Sequence, residues 1–172
     1  MRAHVVNYRN VKEKVAKAKG NDVTIHFKQA REIAGVLRHM KLKRAKQFLC
    51  HVIQHKEAVP FRRYKYGIGH NPQGKAWKWS QSGFPVKASR VFLELIRNCE
   101  SNAKKNNLNV RNCAIAHIKV NKARIHSRRM YRAHGRINRF NKTPCHIEMI
   151  MTEKGISVQR AARRARKEAK KE

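Results

Sequence analysis

Apolar residues recur at helical spacing in three stretches of the chain. From about Gln29 to His39 the stripe is Ala30, Ile33, Ala34 and Leu37. From about Leu42 to Gln54 it is Ala45, Phe48, Leu49, Val52 and Ile53, and after Pro85 it is Ala88, Val91, Phe92, Leu95, Ile96, Cys99 and Ala103. Spacings of i, i+3, i+4 and i+7 put such residues on one face of an amphipathic helix. The third helix is the longest. It starts after a proline, whose missing N–H would be unpaired at a helix start anyway, and should fade at Asn106-Asn107. Period-two alternation marks strands instead. Val23-Thr24-Ile25-His26-Phe27 reads as a first strand with Val23, Ile25 and Phe27 inward, and Ala114–Val120 and Cys145–Thr152 read as two more. The order strand, helix, helix, helix, strand, strand predicts one α+β domain, with the helices on one face of a small antiparallel sheet.

Two stretches break this periodicity. Residues 58–85 hold Pro60, Pro72 and Pro85, both tryptophans (Trp77 and Trp79), Tyr64 and Tyr66, several glycines and no acid. Residues 101–147 also carry no acid, yet hold twelve Lys and Arg. Because their flanks read as strands, they describe a strand pair joined by a long cationic segment with too few apolar side chains to form a core. Such a segment cannot offset the entropy of ordering itself. It is either disordered or held by a polyanion. Residues 1–21, with six Lys and Arg, read as a basic arm, and Gln159–Glu172, rich in Ala, Lys and Arg, as a tail ordered by a partner.

Charge sharpens the picture. The 172 residues include 42 Lys and Arg against 10 Asp and Glu, a formal net charge of +32. Self-repulsion of that size opposes compaction, and nucleic acid is the natural neutralising partner. An anionic membrane is the rival, but no stretch approaches the roughly 20 apolar residues of a spanning helix. The first residues lack the apolar core of a secretory signal, so a cytosolic or nuclear location is expected. Cys50, Cys99, Cys113 and Cys145 are too scattered for a zinc ribbon and read as small buried thiols.

Catalytic readings find little support. One Asp and nine Glu show no evident pairing. His51 and His55 share a helical spacing but lack an adjacent Glu and a third ligand, so a solvated or phosphate-facing pair is expected rather than a metal site. The Gly67–Gly74 loop has the wrong spacing for a dinucleotide fingerprint, and Pro72 interrupts it. No catalytic residue, cofactor or metal is expected.

Binding chemistry is better represented. Arg62 and Arg63 beside Tyr64 and Tyr66 offer guanidinium forks next to aromatic planes. Trp77 and Trp79, flanked by Lys75 and Lys78, offer stacking surfaces that would share a face if the segment were a strand. Arg128, Arg129, Arg132, Arg136 and Arg139 lack the compensating acids of an ordinary solvated face. Arg outnumbers Lys there, which favours ordered phosphate contacts and hence folded RNA over regular duplex. A DNA-compacting protein is the alternative, although such proteins carry Lys-rich low-complexity tails. An RNA-modifying enzyme would need an acidic or cysteine-centred pocket that the sequence does not show.

At these residues the sequence resembles a family of large-subunit ribosomal proteins, the eukaryotic protein seventeen and its bacterial homologue twenty-two. The matching segments are Val59-Pro60-Phe61-Arg62-Arg63-Tyr64, Lys75-Ala76-Trp77 with Trp79, Gln81 and Pro85, Glu100-Ser101-Asn102-Ala103 and His117–Ala123. The strongest are Arg128-Arg129, Tyr131–Asn138 and Pro144–Ile150 with Thr152-Glu153-Lys154. The resemblance spans about residues 22–154. It implies three helices packed on a small three-stranded antiparallel sheet, with a long extended β-hairpin arm over 119–146 and basic extensions at 1–21 and 155–172. About twelve residues per side at roughly 3.3 Å each would let that arm reach about 40 Å.

The same resemblance implies a structural constituent of the large ribosomal subunit, acting in subunit assembly and translation. The residues expected on rRNA are Arg62, Arg63, Tyr64, Lys75, Trp77, Lys78, Trp79, Lys122, Arg124, Arg128, Arg129, Arg132, Arg136 and Arg139. The hairpin tip, Arg128, Arg129, Met130, Tyr131, Arg132, Ala133, His134, Gly135 and Arg136, is expected to line the exit tunnel, with Met130, Tyr131 and His134 as contacts for the nascent polypeptide. Implied partners are large-subunit rRNA and neighbouring large-subunit proteins, with no membrane and no homo-oligomer. The implied location is the cytoplasmic ribosome, with a nucleolar stage during assembly.

Overall fold

A computed structural model of the chain describes residues 15–153. A three-stranded antiparallel sheet in the order β1-β7-β4 is formed by Val15–Val23, Cys145–Glu153 and Cys113–Lys122. Three helices, α1 (Phe27–Leu37), α2 (Leu42–Ile53) and α3 (Val86–Lys105), supply the rest of the core. Two short strands, β2 (Val59–Pro60) and β3 (Ser82–Gly83), pair within the loop region. A separate ribbon of β5 (His126–Tyr131) and β6 (Ile137–Lys142) grows from the ends of β4 and β7.

The helical stripes fold as their spacing requires. Ala30, Ile33, Ala34 and Leu37 are buried in α1; Ala45, Phe48, Leu49 and Val52 in α2; and Ala88, Phe92, Leu95, Ile96, Cys99 and Ala103 in α3. They meet the inward residues of the central strand, Cys145, Ile147, Met149 and Met151. Each fully buried Leu, Ile, Phe or Met contributes about 1.5–3 kcal/mol. Lys104 and Lys105 complement the C-terminal dipole of α3. Asn107, at φ 54, then turns the chain so that the N–H of Leu108 reaches the carbonyl of Ala103.

The first strand differs from expectation. Val23–Phe27 is not a strand: Val23 ends β1, and Thr24–His26 turn the chain into α1 with Ile25 buried. The strand lies earlier, over residues that read as basic arm, with Ala16 and Ala18 inward and Lys17 and Lys19 outward. A bulge between Gly20 and Val23, with Asp22 at φ 50, ends the regular pairing. Helix α3 secures the strand's backbone. The Nδ2 groups of Asn102 and Asn106 donate to the carbonyls of Lys17 (2.8 Å) and Val15 (2.9 Å), and the Cys99 thiol donates to that of Ala16.

Two smaller expectations also change. Cys50 is exposed on α2, whereas Cys99, Cys113 and Cys145 are buried free thiols. Burial pushes the Cys99 thiol up to about 11. Trp77 and Trp79 are not in a strand: Pro72–Trp77 form a 3-10 turn, and Lys78 between the indoles is left-handed at φ 52. Gly74 packs tightly against the backbone, where a Cβ would sit 2.1 Å from the Trp79 carbonyl oxygen. Residues 1–14 of the expected arm and the expected tail lie outside the described residues.

Candidate nucleic-acid interface

The Arg62–Tyr64 corner is held by a residue the sequence did not single out. Glu32 is 6% exposed on α1. Its Oε2 accepts the backbone N–H of Arg62 at 3.1 Å, and its Oε1 accepts those of Arg63 at 3.0 Å and Tyr64 at 2.9 Å. From the other side, the Trp79 Nε1–H donates to the Phe61 carbonyl at 2.8 Å. The corner is thereby fixed through its backbone while the Arg62 and Arg63 side chains stay exposed. The Arg63 guanidinium lies 5.7 Å from the Tyr64 ring centroid, the fork-beside-ring arrangement expected of this pair. The only sequence signal for Glu32 was a rare acid flanking an apolar stripe.

The two indoles have structural work. Trp77 packs edge-on against Phe48 (5.5 Å, 78°), and Trp79 is occupied by its bond to Phe61. Both are half-buried, while Lys75 and Lys78 beside them are exposed.

The ribbon carries the densest charge. From Arg124 to Thr143 every residue is exposed except Met130, which is half-buried. Its rungs run from His126↔Lys142 to Tyr131↔Ile137. Alternation sorts them into two faces. One carries Ser127 with Asn141, Arg129 with Arg139, and Tyr131 with Ile137; the other carries His126 with Lys142, Arg128 with Phe140, and Met130 with Asn138. Arg132 and Arg136 flank the tip, where the Arg132 N–H donates to the Arg136 carbonyl at 2.8 Å and His134 and Gly135 both take positive φ.

At the ribbon's base, residues 123–125 face only Thr143 and Pro144, a one-residue bulge bridged by the Ala123 N–H and the Pro144 carbonyl (3.0 Å). Lys122 and Arg124 sit beside it, so the structure brings the ribbon cations into one array. The Arg62–Tyr64 corner lies across a cleft from that base. Lys75 and Lys78 belong to a separate loop.

The acids explain why these cations remain free. Glu57 takes Arg44 in a two-point bond (3.0 and 2.6 Å) and His51 at 2.5 Å, and those hydrogen bonds, Arg44's foremost, hold its carboxyl below the usual range. Glu100 takes Lys46 and, at 3.8 Å, Lys104, and Lys46 foremost holds its carboxyl low. Glu148 takes Lys19 at 3.6 Å. Among the described residues, no guanidinium group of the ribbon or corner arginines is ion-paired with a carboxylate. His51 is thus tied to Glu57, and the His55 ring lies 4.8 Å from that of Phe84. Among the described residues no group of three His, Cys, Asp or Glu is placed to hold a metal, and no helix is long and apolar enough to cross a membrane.

Comparison with known proteins gives this array a lineage. The family described as ribosomal protein L22p/L17e matches residues 18–152. The chain is 47% identical to the large ribosomal subunit protein uL22 of Caenorhabditis elegans, over 92% of this chain and 87% of that one. It is 48% identical to that of Zea mays (87% and 88%) and 47% identical to that of Phlebotomus papatasi (86% and 80%). Matched over residues 18–152, the chain belongs to the ribosomal protein L22p/L17e family, whose members are structural and not enzymatic.

Proposed function

We propose that this chain binds and organises large-subunit rRNA, with its β5–β6 ribbon set among RNA segments and the tip, Arg128–Arg136, lining the tunnel through which the nascent polypeptide leaves. Family membership supplies the coarser frame, a structural role in the large ribosomal subunit. The observation that carries the finer reading is a two-stranded ribbon, exposed along its length, with cations on both faces and no acid. A solvated ribbon would have to tolerate that repulsion, whereas one enclosed by phosphate turns each arginine into a charge-assisted contact. The corner at Arg62, Arg63 and Tyr64 binds the same RNA from the body, with Lys75 and Lys78 as outlying contacts and Trp77 and Trp79 bracing the loops that present them. The chain joins neighbouring large-subunit proteins on this RNA, first in the nucleolus and then in the cytoplasm.

The test replaces Arg129 and Arg132 together by Glu in cells depleted of the natural protein. Large subunits should fall and free small subunits accumulate. Normal incorporation with an unchanged polysome profile would remove the ribbon from assembly. Separately, co-sedimentation with large subunits should survive DNase and not RNase; the reverse would favour the DNA-compacting alternative.

A further inference from the structure

A cleft of about 760 Å³ opens between the start of α1, the loop after the Arg62–Tyr64 corner and the base of the ribbon. Phe27 and Lys28 line it from α1, Tyr64 and Tyr66 from the loop, and Lys122 and Ile125 from the ribbon base. Phe27 and Tyr64 meet edge to face (6.2 Å, 68°) and form a rigid aromatic corner. Three cations stand over these two rings: Lys122 at 5.4 Å from the Phe27 centroid, and Lys28 at 5.8 Å and Arg63 at 5.7 Å from that of Tyr64. The Tyr66 ring is 88% exposed at the rim. No Asp or Glu lines the cleft.

We propose that this cleft receives one unpaired nucleotide of the bound RNA, its base stacked on Tyr64 and Tyr66 and its phosphates held by Lys28, Arg63 and Lys122. The inference rests on the rRNA-binding reading and adds to it the form of RNA that the cleft selects. A paired helix hides its base faces and cannot use an aromatic corner, whereas a bulged or looped base can. A bare phosphate would engage the cations and leave the rings idle. The volume suits a ligand of nucleotide size. Glu32, by fixing the Tyr64 amide, keeps the stacking ring in place before RNA arrives. The bulge at the ribbon base sets Ile125 on the cleft wall, so ribbon and corner close on the same nucleotide.

The test uses the full chain and two RNA hairpins, one fully paired and one carrying a single bulged 2-aminopurine. Wild type should bind the bulged hairpin about tenfold more tightly and quench the 2-aminopurine, as aromatic stacking does. Tyr66→Ala, which removes an exposed ring and no packing, should abolish preference and quenching while binding the paired hairpin as wild type does, and Tyr64→Ala should abolish preference and quenching as well. Tyr64→Phe should retain both. Equal wild-type affinity for the two hairpins would overturn the inference, as would a preference that survives both alanine variants. Failure to bind either hairpin would instead remove the rRNA-binding reading beneath it.

Discussion

Arg129 and Arg139 stand directly opposite each other across the β5–β6 ladder, on the same face of the ribbon. Opposed residues bring their Cβ atoms to about 4.5–5.5 Å, and like charges at that spacing destabilise the pair. The arrangement becomes favourable once a phosphate bridges both guanidinium groups. Replacing Arg139 by Thr should therefore move two measurements in opposite directions. The free ribbon should gain amide-exchange protection, by less than about 1 kcal/mol, while RNA affinity falls and the slope of log K against log salt drops by about one.

Glu32 predicts a long-range effect on the corner it supports. Glu32→Ala leaves three backbone N–H groups without their acceptor, and loss of charged hydrogen bonds of this kind should cost about 2–4 kcal/mol. Thermal denaturation should show a lower Tm. Glu32→Gln, which keeps one acceptor oxygen, should lie between Ala and wild type.

Gly74 offers a local probe with a built-in reporter. A Cβ at this position would meet the Trp79 carbonyl oxygen at 2.1 Å, a backbone atom that cannot yield cheaply. Gly74→Ala should destabilise the 58–85 region by about 1–3 kcal/mol. Trp77 and Trp79 are the chain's two tryptophans, so intrinsic fluorescence should shift with little change in far-ultraviolet circular dichroism.

Acid should weaken the fold in a defined range. Glu57 and Glu100 both titrate below the ordinary value of 4.5, because Arg44 and Lys46 favour their charged forms. Between the lowered folded value and 4.5 the unfolded chain binds more protons, so stability rises with pH. Their contribution is complete above about pH 4.5 and is lost as pH falls through the folded values. At half-exposed positions each is worth about 1 kcal/mol or less. Denaturant midpoints should fall slightly from pH 7 to 5, because burial disfavours the charged form of His117 and holds it below its ordinary 6.5, and fall further below 4.5. In Glu57→Gln the fall should be smaller.

The helices were legible because large side chains recur on one stripe of each: Phe48, Leu49 and Val52 mark α2 without ambiguity. Strand β1 was hidden by the smallness of its inward residues. Ala16 and Ala18 alternate with lysines and resemble a basic arm, and their size reflects the close approach of α3, whose Leu95 would lie 3.3 Å from a Cβ at Gly20. The cations of the interface were visible as residue types, but their arrangement was not. The Arg129–Arg139 opposition needs a strand register, and Glu32 finds its partners 30–32 residues away, in backbone amides that no spacing encodes. The tryptophans misled because two residues apart means one face only in a strand, and Lys78 in a left-handed conformation breaks that rule.

Strand β7 lies in the middle of the sheet, bonded to β1 on one side and β4 on the other, and β4 and β7 lead through the bulge into the ribbon. A pull on the tip travels down both strands as tension. In the sheet it acts along β7 and so bears on the six rungs from Val15↔Thr152 to Gly20↔Ile147 together, in shear, rather than peeling them one after another. The ribbon is thereby anchored through the central strand of the sheet and not at an edge alone.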